Sequence, residues 1–309
     1  MATTEFHILG ISLAVLSAAA LSIGNIWQSR GVQLATENKG NKKLFVTMLK
    51  TRVWLMGAAM YGLAMLLQIA SLTFAPLMLV QPIGILALVF AVFLGARLSG
   101  TSPSREIYRA MTTCLIGVAG YVIIAAQVSK QKPIDDAELI AILSALFIAL
   151  LAVGVVRVIN HGQARRAPII YVVLGGVFNA FVASLGKTVI LRIQALLKAD
   201  SFVFNSGTVL TLACLLGVGL ASFLAIYYIQ TAYTCNPSDI VVAGTTVIDP
   251  AVSVLIGITI LHEATNASPL SLLLIAICGL IAILGVINLS KAETTPATAE
   301  SSGDKSTKS

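Results

Sequence analysis

The residues best suited to chemistry in this chain are a few polar side chains inside long apolar stretches. Asp249 is a lone carboxylate near the middle of the stretch 239–261, and it directly precedes Pro250. Because proline has no N–H, the residue four positions earlier, Thr246, loses its helical hydrogen-bond partner, and we expect a break in the helix there. An ionisable group at membrane depth is costly to insert, so it usually has a function. The carboxylate and the freed carbonyl together predict a site for a cation or a polar solute.

Pro82 gives a similar arrangement earlier in the chain, where it follows Gln81 and frees the carbonyl of Met78. Asn25 and Asn179 place amides at the depth of other apolar stretches. Such amides hydrogen-bond between helices or line a polar pathway, and the sequence leaves both interpretations open.

Lys187 lies near one end of the stretch 168–190. Its long side chain could reach the membrane surface, or its ammonium could be the counter-ion of Asp249 or of an anionic substrate. His262 and Glu263 close the stretch that contains Asp249, and we expect both to be solvated. We expect the four cysteines to pack in the core rather than to bind metal.

Nine apolar stretches must position these residues. Each has the roughly 20 residues that a helix needs to cross a bilayer, and a backbone in lipid satisfies its own hydrogen bonds as a helix. The sequence therefore predicts an all-α polytopic membrane protein. The stretches are 8–29, 53–74, 77–96, 110–128, 139–159, 168–190, 207–230, 239–261 and 269–289.

The basic residues indicate an orientation. Of the 20 Lys and Arg, 15 lie in alternate connections and the tail, four lie in the connections on the other side, and Lys187 lies within a stretch. Cytoplasmic loops retain positive charge. We therefore predict a plasma-membrane protein whose N-terminus is outside the cell and whose C-terminus is in the cytoplasm.

Composition excludes several classes of function. Charged residues make up 11% of the chain, whereas a soluble protein has about 25%. The net charge of +7 is spread over one side of the membrane, so it indicates topology and lipid contact rather than nucleic-acid binding. No GxxxxGK[ST] motif for ATP hydrolysis occurs. We predict no cofactor and no resident metal.

The proline pattern occurs twice. The motif FAP ends at Pro76 and is followed by Pro82, and the motif CNP ends at Pro237 and is followed by Pro250. The charge count gives the two copies opposite directions, which is a signature of secondary transporters. We therefore predict two inverted repeats. The first covers 8–128 with four helices, the second covers 139–289 with five, and a disordered cytoplasmic tail follows at 290–309.

These residues also resemble a known superfamily. The paired prolines and the segment IDPAVSVLIGITILHE (248–263) are similar to the drug/metabolite transporter, or EamA-like, superfamily. ISLAVLSAAALSIGNIWQSRGV (11–32) and FAPLMLVQPIG (74–84) resemble most closely its NIPA-type magnesium transporter branch. Where that branch has Asn-Glu-Lys in its first half, this chain has Gly95, Ala96 and Arg97.

The resemblance implies a secondary transporter that moves a small solute by alternating access. We expect the substrate to be a divalent cation such as magnesium, or a small organic metabolite or drug. A scaffold, or a flippase for lipid-linked head groups without ion coupling, is the alternative.

An enzyme is not expected, because the only adjacent carboxylates, Asp135 and Asp136, lie in a predicted loop. We expect the bilayer to be a partner, and a second copy of the chain is a further candidate. The candidate substrate-binding residues are Asp249, Pro250, Thr246, Pro82, Gln81, Asn25, Asn179 and Lys187.

Overall fold

The computed structural model describes residues 2–38, 50–100, 102–159, 168–198 and 206–294. Within these ranges the regular structure is helical and contains no strand, and nine helical spans are long and apolar enough to cross a membrane. The predicted all-α class and the number of spans are therefore confirmed for the described residues.

Each predicted stretch corresponds to one helical span, and several of the helices are longer than predicted. The helices are α1 (Ala2–Asn38), α2 (Arg52–Phe74), α3 (Leu77–Val80), a 3₁₀ segment (Gln81–Ile85), α4 (Leu86–Ser99), α5 (Arg105–Val128), α6 (Asp136–Ile159), α7 (Ile169–Lys198), α8 (Ser206–Cys235), α9 (Ser238–Thr259) and α10 (Pro269–Thr294). The third span consists of α3, the 3₁₀ segment and α4. The last helix ends later than predicted, at Thr294, and residues 295–309 of the expected tail lie outside the described residues.

The exposure of the side chains fits a protein surrounded by lipid. Leu216 and Phe223 on α8 are 76% and 67% exposed, whereas Leu77 and Met78 in the third span are 0% exposed. Large apolar patches on a surface indicate a membrane or a protein partner. The third span therefore lies at the centre of the bundle, and the outer helices present leucine and phenylalanine to hydrocarbon.

The most extensive helix packing joins α1 to α2, α5 to α10 and α7 to α8, and α9 packs mainly on α7. By contrast, α6 lies at the edge of the bundle against α8. Small residues allow the close seam between α5 and α10, because a Cβ at Gly117 or Gly285 would clash with the facing backbone at Ala282 or Cys114.

The two turn prolines have the same structural role. Pro76 precedes α3 with φ −57° and ψ 148°, and Pro237 precedes α9 with φ −57° and ψ 144°. The inner prolines differ, because Pro82 is the second residue of a 3₁₀ segment whereas Pro250 lies inside the continuous helix α9. The expectation of a helix break at both inner prolines is thus wrong for Pro250. The inverted relation of the two halves stays a prediction.

Candidate functional site

Asp249 and Asn179 lie together between α9 and α7. The Asn179 side chain donates from Nδ2 to Asp249 Oδ2 at 2.6 Å, and Ser253 Oγ donates to Asp249 Oδ1 at 3.3 Å. Asp249 is half-buried and Asn179 is exposed. The carboxylate is thus held by two neutral donors, with no basic partner within salt-bridge distance among the described residues, and it retains capacity for a further ligand.

Close packing of α7 on α9 makes this contact possible. A Cβ at Gly176 would lie 2.7 Å from the Ile248 side chain and 3.4 Å from the Asp249 nitrogen, so a larger residue would push the helices apart. Asn179 follows Gly176 by three residues, so both lie on the same side of α7. The sequence thus places a glycine one turn from the amide, and this brings the amide within reach of Asp249.

The helix α9 has two different faces. Asp249 contacts α7, and Ser253 lies on the same side of α9, four residues later, whereas Pro250 and Val254 line an apolar crevice beside α10. The half-buried Thr246 lies one turn before Pro250. Pro250 therefore adjoins the polar site in the chain but presents its ring to the apolar side of the helix.

Pro82 belongs to a separate environment. It is buried in the 3₁₀ segment, and the Met78 carbonyl that it frees accepts a hydrogen bond from Tyr121 Oη at 3.0 Å. A side chain of α5 thus satisfies this carbonyl, which was expected to be available to a ligand. The neighbouring Gln81 is buried and Asn25 is exposed on α1, and neither is a hydrogen-bond partner of Asp249.

Lys187 forms a buried ion pair with Glu263. Lys187 Nζ lies 2.6 Å from Glu263 Oε1, and the side chains are 1% and 3% exposed. Lys187 also donates to the Ala75 carbonyl at 3.1 Å. The expectation that Glu263 is solvated is wrong, and neither the snorkelling of Lys187 nor its pairing with Asp249 occurs.

Glu263 also caps the short helix α3. The backbone N–H groups of Leu77 and Met78 donate to Glu263 Oε1 and Oε2, each at 2.7 Å. The first N–H groups of a helix have no internal partner, and a carboxylate stabilises the positive end of the helix. The carboxylate is therefore fully used by one ammonium and two amides.

The local chain around Glu263 explains how it reaches this position. His262 is exposed and has a left-handed backbone with φ 49°, which turns the chain back after α9. The Glu263 N–H then donates to the Gly257 carbonyl at 2.9 Å. A Cβ at Gly257 would lie 2.8 Å from Glu263 Oε2, so only glycine leaves space for the carboxylate.

The described residues contain no group of three or more His, Cys, Asp or Glu side chains that could form a metal cage. A cation at Asp249 would therefore be bound by one carboxylate, amide and hydroxyl oxygens and water. This donor set suits a hard cation that keeps part of its hydration shell.

Comparison with known proteins identifies the family of the chain. Residues 5–294 match the family model "Magnesium transporter NIPA". The chain belongs to the NIPA magnesium transporter family. An uncharacterised protein of Corynebacterium glutamicum is 26% identical over 300 residues, covering 95% of this chain and 98% of the relative. No solved structure matches the chain.

Membership in the NIPA family makes this chain a multi-pass membrane transporter. Of the predicted site residues, the fold brings Asn179 to Asp249 and adds Ser253. It places Lys187 in a separate cluster with Glu263, a pair that the sequence analysis does not predict. The sequence does contain a signal for this pair. Lys187 and Glu263 are opposite charges near the predicted outer ends of their stretches, and a buried charge needs a partner.

Proposed function

We propose that this NIPA-family protein transports a divalent cation, with magnesium as the first candidate, and that Asp249 binds it. The observation that carries the proposal is a half-buried carboxylate at mid-span with only neutral hydrogen-bond donors. An ionised carboxylate at this depth is costly unless a positive charge compensates it. The substrate cation supplies that charge during each transport cycle.

The ligands suit magnesium. Mg²⁺ releases its water reluctantly and commonly binds through one or two carboxylates while it keeps several waters. Asn179 donates through its nitrogen and so retains its amide oxygen as a ligand, and Ser253 adds a hydroxyl. A site with one carboxylate also binds weakly enough to release its cation, as a transporter requires.

The Lys187–Glu263 pair closes one end of the pathway in this proposal. Side-chain hydrogen bonds between the two halves converge there on the turn between α2 and α3, where Lys187 donates to Ala75 and Gln194 Nε2 donates to Thr73 Oγ1 at 3.4 Å. Glu263 holds the start of α3 at the same end. Alternating access then requires these contacts to break when that end opens.

We place this closed end outside the cell, because the basic residues concentrate in the connections at the opposite end. In a variant without native cysteines, Thr265→Cys in the exposed turn after α9 should react with a membrane-impermeant thiol reagent added to intact cells. Ser102→Cys, exposed between α4 and α5, is the matched control and should stay unreacted. The reverse pattern would invert the orientation.

The test of the substrate site is magnesium uptake into proteoliposomes that contain the purified protein and a trapped fluorescent indicator. Asp249→Asn keeps the size of the side chain and removes its charge. We expect uptake to fall by about tenfold to a hundredfold, the effect of losing about 1.5–3 kcal/mol of charged interaction. Glu106→Gln, the same change at an exposed carboxylate on α5, should leave uptake unchanged. Equal uptake by wild type and Asp249→Asn would refute the site.

A further inference from the structure

The second feature of α9 is an apolar crevice on the side away from Asp249. It has a volume of about 530 Å³ and lies between α9 and α10, with α5 and the 3₁₀ segment forming its floor. Both inner prolines, Pro82 and Pro250, line it, together with Tyr121, Ala276 and Gly279. The direct packing of α9 on α10 is sparse compared with that of α5 on α10, so the crevice occupies a gap between two neighbouring spans.

The walls of the crevice do not suit water. The lining side chains are apolar except for Tyr121, and its hydroxyl already donates to the Met78 carbonyl. Water enters a cavity when it finds two to four polar partners there, and cavities lined by hydrocarbon stay dry. The volume is far larger than the share of one water molecule, about 30 Å³. An empty space of this size would also forfeit the dispersion contacts of its lining.

The medium next to the crevice is hydrocarbon. Its walls come from the spans Leu77–Leu98, Arg105–Val128, Ile240–Thr259 and Pro269–Ala292. Ala251, Ala276 and Leu280 are exposed lining residues on α9 and α10, so the gap opens laterally between these helices. A chain of methylene groups from the bilayer can enter there without losing a hydrogen bond.

We propose that the crevice binds one acyl chain of a membrane phospholipid. The chain replaces the side-chain packing that α9 and α10 lack, and it contacts Pro82 and Pro250 of the two inner proline sites. Recognition is by shape and apolar surface, so the head group contributes little. The proposal does not depend on the identity of the transported substrate.

Small residues create the space for the chain. A Cβ at Gly279 would have Tyr121 Cδ2, at 3.9 Å, as its nearest neighbour, which is an ordinary contact distance. Gly279→Leu should therefore fold and fill the crevice. Gly219→Leu on α8 is the matched control, because Gly219 is exposed and a Cβ added there would meet nothing within 4 Å.

The experiment uses nanodiscs that contain phosphatidylglycerol with a diazirine in the middle of one acyl chain. After irradiation, mass spectrometry locates the labelled peptides. We expect wild type to be labelled mainly on the crevice residues of α9 and α10. Gly279→Leu should reduce this labelling by about fifteenfold or more, because the new side chain displaces at least two methylene groups, each worth roughly a fourfold factor. Gly219→Leu should leave it unchanged.

Several outcomes would overturn the proposal. They are labelling spread evenly over the exposed helices, labelling that persists in Gly279→Leu, and labelling that depends strongly on the head group when phosphatidylcholine replaces phosphatidylglycerol. Thermal unfolding confirms that each variant is folded. If Gly279→Leu does not fold, Ala276→Phe fills the same crevice from an exposed position and should give the same loss.

Discussion

The carboxylate of Asp249 on α9 and that of Glu263 in the turn after α9 have opposite environments. Glu263 is 2% exposed and is bound by the ammonium of Lys187 and by two backbone amides at 2.6–2.7 Å. Asp249 is half-buried and is bound by the Asn179 amide and, at the longer distance of 3.3 Å, by the Ser253 hydroxyl. One carboxylate is neutralised within the protein and the other is not.

The difference separates a structural charge from a functional one. A buried carboxylate that already has an ammonium and two amides cannot accept a substrate cation without breaking those bonds. A carboxylate with neutral donors gains the missing charge when a cation arrives. We therefore assign Glu263 to the connection between the two halves and propose Asp249 for binding.

The largest expected effect is on stability, through the Lys187–Glu263 pair. Lys187→Met leaves the Glu263 carboxylate buried without its counter-ion, so we expect the free energy of unfolding to fall by about 3–5 kcal/mol. Asp249→Asn should change it much less, because no ion pair is lost. Thermal unfolding of the purified variants in detergent measures the difference.

Arg192→Met provides the control for this prediction, because it removes a positive charge from the same helix, α7. The Arg192–Asp136 pair has side chains that are 22% and 43% exposed, and exposed pairs contribute about 0–1 kcal/mol. If Lys187→Met and Arg192→Met unfold at the same temperature, the buried pair does not hold the halves together and the contrast with Asp249 fails.

The sequence predicts one of these environments and not the other. Asp249 stands out in the sequence because a single carboxylate near the middle of a long apolar stretch is unusual. The role of Glu263 could not be predicted, because its burial depends on α3 and the preceding turn, which come from the other half of the chain. Lys187 is recognisable as an unusual charge that needs an opposite partner, but the contacts of the pair with Ala75 and the start of α3 depend on how α7 packs against that turn.

The prolines also separate what is local, and can be predicted from the sequence, from what depends on tertiary packing. Pro76 and Pro237, which each end a similar three-residue motif, adopt the same turn conformation, because the backbone conformation before a helix is a local property. The inner prolines share a sequence pattern but not a structure, since the 3₁₀ segment at Pro82 lies in the packed centre of the bundle whereas α9 continues through Pro250. Tertiary packing decides whether an interrupted hydrogen bond becomes a break in the helix.

The smallest expected effects separate the two donors to Asp249. The Asn179 bond is short, at 2.6 Å, and joins α7 to α9, whereas the Ser253 bond is long, at 3.3 Å, and stays within α9. Asn179→Ala removes a charge-assisted bond worth about 1.5–3 kcal/mol and a possible oxygen ligand, so the half-saturating magnesium concentration should rise by about tenfold or more.

Ser253→Ala should raise the half-saturating concentration only about twofold to fivefold, because a weak bond contributes about 0.5–1 kcal/mol. Magnesium titrations of uptake into proteoliposomes measure both values at matched protein density. If Ser253→Ala is the more damaging change, the cation binds on the Ser253 side of the carboxylate, and α9 alone forms the site. If neither change matters while Asp249→Asn abolishes uptake, Asp249 acts without help from α7, and the close approach at Gly176 serves packing rather than binding.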